Sequence, residues 1–222
     1  MNLHLIPVPL NIILIIIYLV ARNRENLKLT AIIQPLTTFL SLLIAGLTLL
    51  NPQTNSSYTT WILIGLGLCF VADIFNIDMN NDKIFIAGIL FFIVAYLEYA
   101  LVFTVFNQGF HRHDILTGVL FLLIYILLMV IYWKKLGKYK LPVMIYGLIL
   151  PFMVTRAIST LSAGVFPLTA AVLITAGSIM IFLGDVEYGM QRFYKPGKFT
   201  VGPICYAGGQ LLIALSCAWF IQ

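Results

Sequence analysis

Apolar residues in this chain do not alternate with polar ones or recur every third or fourth position. They run in long blocks. Each block is long enough, or nearly so, to cross a bilayer as a helix, which takes about 20 residues rising about 1.5 Å each. The pattern predicts helices at 5–21, 29–50, 59–76, 84–106, 115–133, 141–161, 166–188 and 200–220. The separators are short and differ in character: "ARNRENLK" is charged, "NPQTNSSYTT" polar and uncharged, "DMNNDK" a tight acidic link. After them come "NQGFHRHD", the basic "KKLGKYK", the uncharged "SAGVFP" and the basic "RFYKPGK".

Composition sharpens this picture. The chain is 61% hydrophobic and only 9% charged, with a mean hydropathy of +1.02, whereas ordinary soluble domains are about 25% charged. The fold class is therefore an all-α polytopic membrane protein of eight transmembrane helices. Residues 1–222 form a single transmembrane domain, because the connections are too short to hold another. The net charge of +5 suits anionic lipid surfaces, so the expected partners are membrane lipids and not nucleic acid. Cys69, Cys205 and Cys217 lie in or beside apolar runs, without metal-ligand or disulfide spacing, and read as small packing residues. The first apolar run lacks a basic leader and a small-residue cleavage site, and reads as a retained helix. Nothing in the sequence specifies an oligomeric state.

Charge also sets the orientation. With eight helices and the N-terminus outside, the inner connections hold Arg22, Arg24, Lys28, Lys83, Lys134, Lys135, Lys138, Lys140, Arg192, Lys195 and Lys198, eleven of the 13 basic residues. Only Arg112 falls outside, and Arg156 lies within helix six. The two halves, residues 1–110 and 111–222, carry a few matching features: "QPLTTF" precedes Asp73 as "LPVMIY" precedes Asp185, and Tyr96 and Tyr206 follow the two acids at similar spacing. Two parallel four-helix repeats would account for them.

Against this background the candidate chemistry is sparse. "CFVADIFNID" and "FLGDVEYGMQRF" place Asp73 and Asp185 near the inner ends of helices three and seven. A carboxylate facing lipid at the bilayer centre costs about 2.5–3.5 kcal/mol on insertion scales. The simplest reading apart from catalysis is that each acid reaches the headgroups or caps the next helix. Two acids at matching depth in corresponding halves favour one shared polar cavity open to the cytoplasm. A carboxyl that keeps its proton there can act as a general acid. Gln34, Tyr96, Tyr206 and Gln210 are further candidates to line it, with Tyr206 and Gln210 on one helix face at i, i+4. Each alone more often bridges helices by a hydrogen bond. Asn76 and Asp78 close helix three, and Arg192 stands where a lipid phosphate would lie, although it equally suits a plain membrane anchor. Glu98 and Arg156 share a depth and read as an intramembrane ion pair. No GxSxG, HExxH, Gly-rich phosphate loop or Cys/His pairing occurs, and His4, His111 and His113 lie near the outer surface. An Asp-based acid–base reaction without metal or cofactor is the simplest chemistry these residues offer.

At these positions the chain resembles the YhhN family of membrane lysoplasmalogenases. "QPLTTFLSLLIAG" is similar to that family's KPLTT opening of helix two, and "GLGLCFVADIF" to its G-L-x-F-S-x-x-G-D segment. "AGILFFIVAYLEYALVF", "LPVMIYGLILPFM", "FLGDVEYGMQRF" and "YAGGQLLIALS" resemble further family segments in the same order. The resemblance implies eight helices and hydrolysis of the vinyl-ether bond of a lysophospholipid substrate, lysoplasmalogen, to a fatty aldehyde and a glycerophospho-alcohol. It implies Asp73 and Asp185 as the catalytic acids; Gln34, Asn76, Tyr96, Arg192, Tyr206 and Gln210 are the residues expected, from their type and place in the sequence, to bind substrate. The family's Lys falls on Gln34, its His on Tyr96, its Ser on Gly184 and its Asn on Gln191. A small-solute or lipid transporter, or a catalytically silent lipid binder, is the alternative, since tandem four-helix halves with membrane-embedded polar groups also suit transport.

The charge count generates a direct test. Reporter fusions should place both termini on the non-cytoplasmic side and the acidic site toward the cytoplasm. A cytoplasmic C-terminal reporter would overturn that orientation.

Overall fold

The computed structural model describes residues 3–75, 81–195, 197 and 200–221. Among these residues eight α-helices follow one another: α1 (Val8–Asn23), α2 (Leu27–Thr48), α3 (Ser56–Phe75), α4 (Asp82–Phe106), α5 (Asp114–Tyr132), α6 (Lys140–Ser162), α7 (Leu168–Phe193) and α8 (Gly202–Ser216). Short 3-10 turns at Leu3–Leu5 and Gly137–Tyr139 precede α1 and α6. Among the described residues seven spans are long and apolar enough to cross a membrane, the first and sixth counted with their 3-10 turns, and α8 is a shorter apolar helix. The protein is an integral, multi-pass, all-α membrane protein.

Local chemistry explains several boundaries. Asn26 and Asn81 cap α2 and α4, accepting from the Leu29 and Lys83 amides, and the Asn55 side chain does the same for Tyr58 in α3; such caps satisfy amides that the first turn leaves open. Proline sits in the first turns of α1 and α8, where its missing N–H costs nothing. The largest departure from the sequence pattern is α7, which runs to Phe193 and not to 188. Its last turns are amphipathic rather than apolar: Gln191 donates to Glu187 at 3.0 Å one turn back, while Phe193 is buried. A hydropathy block ends before such a helix does.

In the first half α1 packs on α2, α2 on α3 and α3 on α4; in the second, α5 packs on α6, α6 on α7 and α7 on α8. Across the halves α4 packs on α6, and α8 on α2. Adding four to each label carries one set into the other, which supports the proposal of two four-helix halves. The correspondence is incomplete: α3 also touches α8, without a counterpart of that extent between α7 and α4. α1 packs against α8, but α5 has no comparable seat on α4 and is buried only at Asp114, Phe121 and Tyr132. The tightest seam, α7 on α8, rests on Gly177 and Gly209, where a Cβ on either would stand 2.8 or 2.5 Å from the other's carbonyl oxygen. Small residues let membrane helices approach this closely.

The end bearing most of the basic residues is tied by polar contacts. Asn23 at the end of α1 donates to the Thr200 carbonyl at 2.9 Å and accepts from the Thr200 amide at 2.8 Å, while Lys138 and Tyr139 both bond Asp82. At the opposite end Arg156, fully buried, bonds the Asp114 carboxylate, the Thr104 hydroxyl at 2.7 Å and the Gly109 carbonyl at 2.5 Å. The expected Glu98–Arg156 pair is therefore not formed. Arg156 reaches Thr104, six residues beyond Glu98 along α4, a displacement of about 9 Å at the helical rise. Both Glu98 carboxyl oxygens are buried and have no hydrogen-bond partner among the described residues. The side chain instead packs over Gly65, where a Cβ would stand 2.3 Å from Glu98 Oε2.

Two outcomes follow for unfolding in detergent followed by circular dichroism. Arg156→Met should cost about 3–5 kcal/mol by leaving Asp114 buried and unpaired, with R156M/D114N losing less than the sum of the two single changes. Glu98→Gln should cost under about 1 kcal/mol, because it breaks no hydrogen bond.

Candidate functional site

Asp73 lies in the last turn of α3 and is 1% exposed. Burial of a carboxyl requires donors, and α2 and α8 supply them. Gln34 Nε2 donates to Asp73 Oδ1 at 2.7 Å, Tyr206 OH to the same oxygen at 2.9 Å, and Thr38 Oγ1 to Oδ2 at 2.6 Å. Gln34 and Thr38 are one turn apart on α2, so both reach the same carboxyl. The Gln34 amide is itself oriented: Tyr18 OH of α1 donates to its Oε1 at 2.9 Å. An amide nitrogen only donates, so this chain runs one way, from Tyr18 through Gln34 into Asp73.

Asp185 lies about two turns before the end of α7 and is half-buried. Its donors come from α6 and α4: Tyr146 OH at 2.6 Å and Tyr96 OH at 2.9 Å, both to Oδ2. Among the described residues Oδ1 has no hydrogen-bond partner. The two acids are thus held in corresponding ways, Asp73 by α2 and α8 and Asp185 by α6 and α4, with different degrees of saturation. Gly184 brings α8 close to this point of α7, since a Cβ there would stand 3.0 Å from the Tyr206 amide nitrogen.

Two cavities meet at Asp185. One, of about 100 Å³, lies among α4, α5, α6 and α7 and is lined by Phe85, Ile89, Met129, Val143, Leu150 and Phe182 among others. Apart from Asp185 and a few tyrosines its wall is hydrocarbon, and it occupies the place where α5 stands away from α4. The other, of about 80 Å³, lies among α1, α2, α7 and α8 and is lined by Tyr18, Arg22, Thr30, Gln34, Gln191, Thr200 and Tyr206, with Asp185 again. Phe92, Asp185 and Tyr188 belong to both walls. A carboxyl standing between a polar and an apolar space can meet the middle of an amphiphile, with a head on one side and a chain on the other.

The sequence-derived candidates are distributed as follows. Gln34, Tyr96 and Tyr206 come together with the two acids by direct hydrogen bonds. Gln34 and Tyr206 line the polar cavity, whereas Asp73 stands behind them and Tyr96 is fully buried. Gln210 is fully buried, accepts from Tyr99 OH at 3.3 Å and lines neither cavity. Arg192 places its guanidinium 4.7 Å from the Phe85 ring centroid, a cation–π contact, and is absent from both walls. Asn76 and Asp78 lie outside the described residues.

Among the residues that the sequence did not single out, Tyr18, Arg22, Thr38 and Tyr146 bear most directly on the site. Thr38 and Tyr146 sit inside the "QPLTTF" and "LPVMIY" segments, and a polar side chain within one turn of such a proline was the available signal. Tyr18 and Arg22 had only a shared face, four residues apart on α1.

No curated protein and no solved structure matches this sequence. The model of the YhhN family matches residues 29–217, a span that contains all but the first two residues of α2 and the whole of α3 to α8, with both acids and every donor to them. The chain belongs to the YhhN family.

Proposed function

We propose that this protein is a membrane-embedded hydrolase that cleaves the vinyl-ether bond of a lysophospholipid, releasing a fatty aldehyde and a glycerophospho-alcohol. Family membership supports the reaction class, and one observation carries its assignment to these residues. Asp185 faces both cavities, with Oδ2 held by two tyrosine hydroxyls and Oδ1 without a partner among the described residues.

A vinyl ether is hydrolysed through its alkene. Asp185 Oδ1 gives a proton to the alkene carbon distal to the ether oxygen, the C=C electron pair forms the new C–H bond, and the adjacent carbon becomes an oxocarbenium ion. Water adds to that carbon and returns a proton to the Asp185 carboxylate, giving a hemiacetal. Proton transfer to the glycerol oxygen and cleavage of its C–O bond then yield aldehyde and alcohol. The acid and base are one residue acting in turn. Asp73 accepts three hydrogen bonds from Gln34, Thr38 and Tyr206, a donor set suited to a carboxylate. In that form it positions Gln34 and Tyr206 on the cavity wall, and its negative charge favours the developing cation. Gln34 stands where the family has Lys and Tyr96 where it has His, so a neutral donor set surrounds the two acids here.

Purified protein in detergent should release aldehyde from lysoplasmenylethanolamine. Asp185→Asn should lose roughly 100- to 10,000-fold in kcat, the usual contribution of general acid catalysis. Asp73→Asn should also lose activity, and the double variant should be little worse than the poorer single one, because the residues act as a unit. Full turnover by Asp185→Asn would sink the mechanism. Tight lipid binding by the wild type with no aldehyde released would instead favour a silent lipid binder.

A further inference from the structure

We infer that Arg22 binds the phosphodiester of the substrate, so that the lipid lies across the two cavities with its phosphate in the polar one and the first carbons of its chain in the apolar one. The inference deepens the reaction proposed above and rests on it for the identity of the lipid.

Arg22 is in the last turn of α1, half-buried, and lines the polar cavity together with Gln34, Tyr206 and Asp185. Among the described residues no carboxylate or carbonyl bonds its guanidinium. Arg156, fully buried toward the opposite end of the bundle, by contrast has a carboxylate, a hydroxyl and a carbonyl. A partly desolvated guanidinium with five unengaged donors is poised for an anion, and its planar fork matches the paired oxygens of a phosphate. The surrounding backbone is fixed rather than adaptable. Asn23, the next residue, is clamped to Thr200 by two hydrogen bonds, and Asn11, further back on α1, is bonded to Ser41 at 3.0 Å.

The order of groups along the cavities matches the order along the molecule. In a lysophospholipid the phosphate, the glycerol, the vinyl ether and the hydrocarbon follow in sequence. Here Arg22 on the polar wall, Asp185 shared by both walls, and a hydrocarbon wall that includes Leu150, Pro151 and Phe182 follow in the same sequence. With about 100 Å³ of space, the apolar cavity holds only the first methylenes. The rest of the chain leaves between α4 and α5, where packing is sparse. Arg192 is engaged with Phe85, and among the described residues Arg22 is the cation on the cavity wall.

The test compares substrates with and without phosphate. On lysoplasmenylethanolamine, Arg22→Gln should raise KM about 10- to 100-fold, the range expected for a charged hydrogen-bonded contact, with kcat little changed. On 1-O-alkenylglycerol, which lacks phosphate, R22Q and wild type should have equal KM, and R22K should recover part of the loss on the phospholipid. An equal effect of R22Q on both substrates would overturn the inference and make Arg22 a partner of the acids instead. Unchanged KM on the phospholipid would overturn it too.

Binding of the non-hydrolysable 1-O-hexadecyl ether analogue, followed by thermal stabilisation of wild type and R22Q, separates this inference from the reaction. If the wild type hydrolyses nothing yet R22Q alone loses phosphate-dependent stabilisation, the reaction fails and the Arg22 assignment stands. If hydrolysis proceeds and R22Q binds the analogue as wild type does, only the assignment fails. Inorganic phosphate should compete far more weakly than the lipid; equal competition would make the ligand free phosphate and overturn the lipid orientation. R22Q that no longer unfolds cooperatively is replaced in each comparison by R22K.

Discussion

A buried carboxyl needs donors, and a membrane interior supplies none from solvent. That requirement organises the centre of this molecule. Asp73 and Asp185 together draw hydrogen bonds from Tyr18-oriented Gln34, Thr38, Tyr206, Tyr96 and Tyr146, which come from α2, α4, α6 and α8. Each of these helices is placed where its donor can reach an acid, and the apolar contacts around them carry no such directional demand. An unpaired polar group in a low-dielectric interior costs far more than a satisfied one gains. The position of a helix about its own axis is therefore constrained more by one tyrosine hydroxyl than by many leucines.

The same requirement is met unequally at the two acids, and the inequality has chemical content. Three donors occupy both oxygens of Asp73, whereas two donors share one oxygen of Asp185. A saturated carboxyl is a fixed element of the scaffold; one with an open oxygen at a cavity wall can exchange a proton. The cavities differ in the same sense. The space beside α8, α1 and α2 is lined with polar groups, and its counterpart beside α4, α5 and α6 with hydrocarbon. The bundle thus holds one polar and one apolar compartment, each drawing helices from both ends of the chain, an arrangement suited to a molecule with a head and a chain.

Glu98 and Arg156 show what happens away from this centre. Arg156 is enclosed by a carboxylate, a hydroxyl, a carbonyl and the face of Phe110 at 4.4 Å. It pins the α4–α5 connection to α6 and so anchors the N-terminal end of α5, which packs little elsewhere. Glu98 is housed by the absence of a side chain at Gly65. Opposite charges at similar depth need not pair when their helices turn them in different directions.

Block hydropathy determined the class of fold, the number of helices and most of their limits, because the cost of exposing polar backbone in lipid leaves a chain of this composition no other structure. The same scarcity of polar residues made Asp73 and Asp185 legible, since an acid in an apolar run has few neutral explanations. Gln34, Tyr96 and Tyr206 were legible by their type and spacing from the acids. What the chain could not disclose is rotation: which face of each helix turns inward, and which of several polar groups at one depth meet. Only packing decided that Arg156 joins Asp114, that Gln210 joins Tyr99 and not the site, and that Tyr146 and Thr38 complete the two carboxyls. It also decided that Arg22 and not Arg192 lines the polar cavity. Hydropathy measures how a residue partitions along the membrane normal, whereas a hydrogen bond depends on direction within the membrane plane, and that direction exists only once the helices are assembled.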